Sequence, residues 1–310
     1  YREQKETYQN LRLKVQNGIP HEFPLIINFR NGMYNLEKDE YLPHTAGIFS
    51  LNQMDCVYNP DAECKHIDYL LDSISCKNKA IRTLLEEMLG YILIGDCRFQ
   101  KSFILLGEGA NGKSVFLDMI VNWLGQENCS SLALEDLSDR FRPAQLVGKM
   151  VNIGDDSGAD LLKNTAIFKK LVTGDPLTVE FKHGQPFSYS NRAKLIFSAN
   201  NLPPSSDKSN GFMRRITIIP FNAKFLPGTE EYDPLISNKV TTEEAKSYLL
   251  NIAIKAAKRI IKNQKFTIPD AVQNEIDKYE IANNNVLSYL SEVPPIVDKD
   301  VTKTYANYCL

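Results

Sequence analysis

Residues 103–114 read FILLGEGANGKS. Four apolar residues with no polar alternation break at Gly107, and Glu108, Gly109, Ala110, Asn111 and Gly112 carry the chain to Lys113 and Ser114. The pattern GxxxxGK[ST] is met in full, between an apolar run and the helical pattern SVFLDMIVNWLG. Glycines in such a turn let successive backbone N–H groups point inward onto phosphates. Lys113 then reaches the β- and γ-phosphates, and Ser114 offers its hydroxyl to Mg2+. The motif predicts an ATP site with Mg2+, built from 107–114 and Val115 behind them. It also commits the chain to strand–loop–helix order, and hence to an α/β core.

The rest of the chain agrees with that commitment. Between residues 100 and 222 the apolar runs SFILLG, MVNIGDD, AKLIFSAN and RRITIIPF alternate with helical patterns. Continuous apolar runs of this kind predict a largely parallel sheet covered on both faces. Upstream, a short polar helix precedes PLIINFRNGMYNL and YLPHTAGIFSL, which read as small strands joined at the turn signal RNG. Residues 60–95 recur at helical spacing and predict two or three helices, with Asp61 as N-cap and Gly95 as stop. Thr242 to Asn263 predicts one long amphipathic helix, and NNNVLSYLSE opens another small helical unit. Three parts follow: a mixed and helical subdomain over 1–95, an α/β core over 96–230 and a helical region over 231–310.

Composition narrows the partners. A net charge of −2 excludes a broadly basic coat for nucleic acid, so any such contact has to be local. The six cysteines contain no CxxC pair and read as reduced, cytoplasmic thiols; Cys56, Cys64, His66 and Cys76 fit no standard zinc spacing. No apolar run has the length of a membrane helix, and no signal peptide opens the chain. The chain starts at YREQKETYQN without methionine and stops at TYANYCL, which predicts a piece of a longer protein.

Three further constellations fit a phosphate loop. KMVNIGDDS ends an apolar run in Asp155 and Asp156, one to hold the metal and the other to polarise a water; DDSGAD is equally good turn chemistry taken alone. AKLIFSANNLP ends in Asn200, whose amide can hydrogen-bond a γ-phosphate or a lytic water, although Asn close before Pro also has local uses. GFMRRITIIPF sets Arg214 and Arg215 directly before a strand. In an oligomer an arginine so placed can reach a neighbour's phosphate. LTVEF and PFSYS flank the turn-like KHGQ as a hairpin, with Lys182 and His183 at its tip. Those two side chains can hold phosphates without reading sequence; an ordinary exposed hairpin is the alternative.

The ordered set GEGANGKS, NIGDD, TGDPLTVEFKHGQPFSYSNRAKLIFSANNLP and GFMRRITIIPF closely resembles the superfamily 3 helicases of the phage, plasmid and poxvirus primase-helicase family, as does Gly90-Tyr91 ahead of the loop. The resemblance implies an AAA+-type P-loop core, ring-forming and usually hexameric, that moves along single-stranded DNA. It implies Lys113 and Ser114 as Walker A residues, Asp155 and Asp156 as Walker B acids and Asn200 as sensor. Arg215, or else Arg214, becomes the arginine finger, and Lys182 and His183 the pore-hairpin tip. It implies a primase or polymerase domain in the same full-length chain, the start of a winged-helix-like appendage at the C-terminus, and work in a bacterial host cytoplasm or equivalent viral replication site. Two other readings compete. One is an ATP-binding ring that serves as initiator or scaffold and unwinds weakly or not at all. The other is a small-molecule phosphotransferase, for which the chain offers no acceptor motif.

Overall fold

The computed structural model describes residues 23–154 and 165–284, except 24, 46, 47, 49, 206, 208 and 230, and also residue 288. The expected first polar helix falls in 1–22, and the expected last helical unit lies almost wholly outside the described residues.

The RNG turn is realised. Strands β1 (Ile26–Phe29) and β2 (Gly32–Asn35) pair antiparallel with Phe29 opposite Gly32, and β3 (Glu40–Leu42) adds to β2. Among the described residues of YLPHTAGIFSL, only the first two are strand. Two helices follow, α1 (Lys65–Ile74) and α2 (Lys79–Leu93). Asp61 does not cap α1; Cys64 takes the N-cap position without a side-chain bond. Asn78 caps α2, its Oδ1 accepting from the Ala80 and Ile81 amides at 3.0 and 3.2 Å.

The core then alternates as its apolar runs predict. Strand β4 (Ser102–Leu106) leads into helix α3 (Lys113–Leu124); the short β5 (Cys129–Ser130) and β6 (Val151–Gly154) follow. Helix α4 (Ala166–Thr173) precedes the hairpin of β7 (Leu177–Val179) and β8 (Phe187–Tyr189). Strands β9 (Lys194–Ala199) and β10 (Ile216–Pro220) complete a five-stranded sheet in the order β10-β4-β9-β6-β5, every pair parallel. The loop-bearing strand thus has a neighbour on each side, and all five strands point at one rim.

Pleating splits the strand side chains between two cores. Phe103, Leu105, Ile153 and Ile196 join α1, α2 and α3, whereas Ile104, Leu195, Phe197 and Ile218 join α4 and the hairpin. Phe116, Ile120 and Trp123 of α3 are fully buried, each contributing about 1.5–3 kcal/mol by leaving water.

The long helix α5 (Glu243–Asn263) starts where the sequence predicts, with Thr242 Oγ1 accepting from the Ala245 amide at 3.2 Å. A second C-terminal helix, α6 (Asp270–Ala282), was not legible in the sequence; it packs along β10. Although the sequence divides at 95 and 231, α5 belongs to the same apolar cluster as α1, α2 and α3. Gly90 makes that packing possible: a Cβ there would stand 2.4 Å from the Ala257 nitrogen and 2.8 Å from the Ala256 carbonyl carbon. One turn earlier, the fully buried Glu87 accepts from Arg259 Nε at 2.9 Å, the Thr267 amide at 2.6 Å and Thr267 Oγ1 at 3.0 Å. This joins α2 to α5 and to the turn before α6. Glu87→Ala removes the acceptor of the Thr267 amide and hydroxyl and one of the partners of Arg259, which keeps Glu86, so it should cost about 1–3 kcal/mol of unfolding free energy in a urea titration. Gly90→Ala, which overpacks the same crossing, should cost about 1–3 kcal/mol.

Candidate functional site

Backbone bonds on both sides hold the loop at the carboxyl rim of β4. The Gly107 amide donates to Ala199 at the end of β9 (3.1 Å), and the Phe221 amide donates to the Leu106 carbonyl (2.7 Å). A Cβ on Gly107 would lie 2.4 Å from both Asn111 Nδ2 and the Phe221 carbonyl oxygen. Gly112 turns into α3 with φ +83, in the left-handed region that favours glycine. Asn111 is buried and its Nδ2 donates to the Phe221 carbonyl at 3.2 Å and to the Glu108 carbonyl. Its side chain therefore braces the loop, leaving only its backbone to meet an anion. From the other side the Phe225 amide donates to the Ala110 carbonyl at 2.7 Å.

Glu108, Gly109 and Ala110 form an exposed lip, Ser114 is exposed in the first turn of α3, and Val115 packs half-buried against the core. Lys113 is only 7% exposed; its Nζ donates to the Gly107 carbonyl and, at 3.2 Å, to Asn200 Oδ1. The structure thus brings the loop, its lysine and Asn200 together. A strand-to-helix turn that rejects a Cβ, a helix N-terminus and an inward lysine suit a phosphate group. Strand β6 runs to the same rim, Gly154 standing opposite Phe197 of β9. The predicted metal-holding acids Asp155 and Asp156 follow directly and lie outside the described residues.

The arginine pair lies at the opposite rim. The Arg215 carbonyl accepts from the Ser102 amide (2.8 Å), where β10 and β4 both begin. The five residues of β10, at about 3.3 Å each, put Arg215 about 16 Å from the rim that bears the loop. Within one chain neither arginine reaches the loop. Arg214 is exposed, its Nη1 donating to Gln100 Oε1 at 3.1 Å; Arg215 is half-buried with Nη1 on the Gly211 carbonyl. Burial first, then repulsion from Arg214, lowers the pKa of both Arg215 and Lys101. Nearby, burial pushes Arg192 down to about 10. Lys194 is fully buried, with Nζ on the Ile94 and Arg192 carbonyls, both at 2.7 Å, and 4.7 Å above the Tyr91 ring. Burial is the main force against charge at this rim, and Arg214 adds repulsion at Arg215 and Lys101.

The hairpin stands on this second side, five residues before β9. Its turn closes through the Gly184 amide to the Phe181 carbonyl (2.7 Å), with His183 at φ +66, and both Lys182 and His183 are exposed. Two features escaped the sequence reading. Phe181 is 42% exposed and stacks on Phe187 with centroids 5.6 Å apart. Arg140-Phe141-Arg142, from the turn before β6, reaches the hairpin through an ion pair between Arg140 and the largely buried Glu180. Phe141 is 38% exposed, with the Arg140 guanidinium 5.3 Å from its ring centroid. The signal was an aromatic interleaved with arginines in DRFRP, which only the Glu180 contact ties to the hairpin.

Known proteins resemble this chain along these same segments. Residues 105–215 match a family of unknown function, DUF5906, and residues 2–76 match the family D5 N terminal like. "Putative helicase L207/L206" of Acanthamoeba polyphaga mimivirus is 26% identical over 229 residues, 66% of this chain and 22% of that protein. "Putative helicase 121R" of Invertebrate iridescent virus 3 is 25% identical over 309 residues, 87% of this chain and 32% of that one. The chain thus spans a third or less of the length of these curated relatives. Among solved structures, an apo structure of the NrS-1 C-terminal region shares the fold with a TM-score of 0.53 at 13% identity, over 82% of this chain and 71% of that one. A second apo structure of that region gives 0.53 and 13%, over 84% and 76%. Among the described residues no helix is long and apolar enough to cross a membrane.

The bracing role of Asn111 has a measurable consequence. Asn111→Ala leaves the Phe221 carbonyl without this buried donor and should cost about 1–3 kcal/mol in chemical denaturation.

Proposed function

We propose that this chain, a member of the primase-helicase family, is an ATP-dependent DNA translocase and helicase that hydrolyses ATP between subunits of a ring. The observation that carries the reading is the division of the sheet. Loop, Lys113 and Asn200 occupy one rim; the arginines and the basic, aromatic hairpin occupy the other.

In this reading Lys113 leaves the Gly107 carbonyl for phosphate oxygens, while loop amides hold the rest of the triphosphate. Mg2+, held by Ser114 and Asp155, would neutralise charge developing on the β- and γ-phosphate oxygens. Asp156 orients or deprotonates the attacking water, and Asn200 hydrogen-bonds that water or the γ-phosphate. Arg215, or the more exposed Arg214, serves a neighbouring copy, because about 16 Å of sheet separates both from the loop of their own chain. A hexameric ring would bring the hairpins together around single-stranded DNA. Lys182 and His183 then contact phosphates, while Phe181 and Phe141 offer faces on which bases stack. Net charge near neutrality suits this arrangement, since the cations converge only in the assembled channel. A primase or polymerase domain elsewhere in the full-length chain would complete a replication protein.

Steady-state ATPase assays with and without single-stranded DNA test the proposal. Lys113→Ala and Arg215→Ala should each lose about a thousandfold in rate, as loss of a phosphate clamp or finger does. Mixing the two should restore part of the activity, since some interfaces then join an intact loop to an intact arginine. An Arg215→Ala chain with normal turnover moves the finger to Arg214, and normal turnover in both variants sinks the shared-site reading. In DNA-binding titrations, Phe141→Ala and Phe181→Ala should each weaken binding by about 1–3 kcal/mol, the range for one stacked base.

A further inference from the structure

We propose that the cleft between the phosphate loop and α6 is a second phosphate-reading site, with Lys224 and Lys278 as its cations. The proposal rests on the triphosphate reading of the loop given above.

The cleft has a volume of about 500 Å3 and is lined by Gly107, Glu108, Asn200, Lys224, Lys278 and Asn283. Asn200 belongs to both sites: its Oδ1 accepts from Lys113 at 3.2 Å, so the cleft opens where the loop lysine ends. Since a loop lysine reaches the β- and γ-phosphates, the group at this mouth is the terminal one. Pro220, Phe221 and Asn222, beyond the end of β10, also line it, so the cleft continues the loop's own surface.

Each cleft lysine rests on a carboxylate. Lys224 Nζ stands 3.2 Å from Glu108 Oε2, and Lys278 Nζ 2.7 Å from Glu275 Oε1. Glu108 is a wide-open side chain, 86% exposed, on the lip of an anion-binding loop. Both lysines are open to water, while Glu275, itself part of the cleft lining, is 21% exposed; ion pairs with so exposed a partner contribute little, and a phosphoryl group with three oxygens is the stronger acceptor. An arriving terminal phosphate therefore takes both lysines, and the two glutamates turn to water.

Binding there would also be felt in the fold. Helix α6 is fastened to the segment after Asn200: Tyr279 Oη donates to the Pro203 carbonyl at 2.8 Å, and the Ser205 amide donates to Asn283 Oδ1 at 2.6 Å. The ligand class is a phosphate group, either the γ-phosphate of a bound triphosphate or free phosphate after hydrolysis.

The test is calorimetric titration of ATPγS, of ADP, and of inorganic phosphate in saturating ADP, all with Mg2+. The variants are Lys224→Gln with Lys278→Gln, Glu108→Gln with Lys224→Gln, and Lys113→Ala. The double lysine variant should bind ATPγS about tenfold more weakly, the scale of a lost charge-assisted contact, with ADP affinity unchanged. Loss confined to ATPγS assigns the γ-phosphate, and loss confined to phosphate in ADP assigns the product. An equal loss for ADP overturns the proposal. So does full recovery of ATPγS binding in the Glu108→Gln, Lys224→Gln chain, which would leave Lys224 as a mere counter-charge to Glu108. If Lys113→Ala binds both nucleotides normally, the triphosphate reading itself fails. If Lys113→Ala loses both while the double lysine variant binds like the parent, only the cleft proposal fails.

Discussion

Glu87 is fully buried one turn before the crossing at Gly90, and its carboxylate takes donors from α5 and from the turn that leads to α6. A charge with no access to water is stable only while those donors stay in place. The arrangement therefore fixes where α5 lies on α2 and where α6 departs. Phe266, in the same turn, meets the rings of Tyr91, Phe99 and Phe103 edge-to-face at 5.4–5.5 Å, tying it to the strand that carries the phosphate loop. The α6 side of the cleft beside that loop is thus set by a carboxylate some 180 residues away in sequence.

Much of the molecule was legible because its signals are local. The continuous apolar strands, the strand–loop–helix order around GxxxxGKS and the helical spacing from Thr242 are each stated by neighbouring residues, and each forms. Asn200 stood out because it closes the apolar run AKLIFSA; the structure sets that strand beside the loop strand. What stayed hidden depends on partners distant in sequence. Helix α6 has only Val272 and Tyr279 fully inward, so its apolar stripe is too sparse to stand out until β10 is beside it. Phe141 gains meaning only through the Arg140–Glu180 pair. Asn111, read as a nucleotide contact, turns its side chain away to brace the loop, and no pattern of residue types encodes that direction.

Strand β9 joins the hairpin side of the sheet to the rim that carries Asn200. It begins at the buried Lys194, five residues after the hairpin, and ends beside Asn200 at the loop lysine. Lys194 has an ammonium lowered in pKa by burial, yet it holds two carbonyls at 2.7 Å and an aromatic face. Those bonds keep the strand's start from sliding relative to the end of α2.

The opposed positions of the phosphate loop and the arginines also restrict how copies can associate. A two-fold pair matches each loop to the partner's arginine only if both rims fall within one self-complementary face, and it then closes at two copies. Head-to-tail contacts match an arginine rim to a loop rim at every junction and leave one of each unfilled at the two ends. Such an array has no intrinsic length. A few degrees of rotation per copy decide whether the last arginine meets the first loop or the array runs on as a helix.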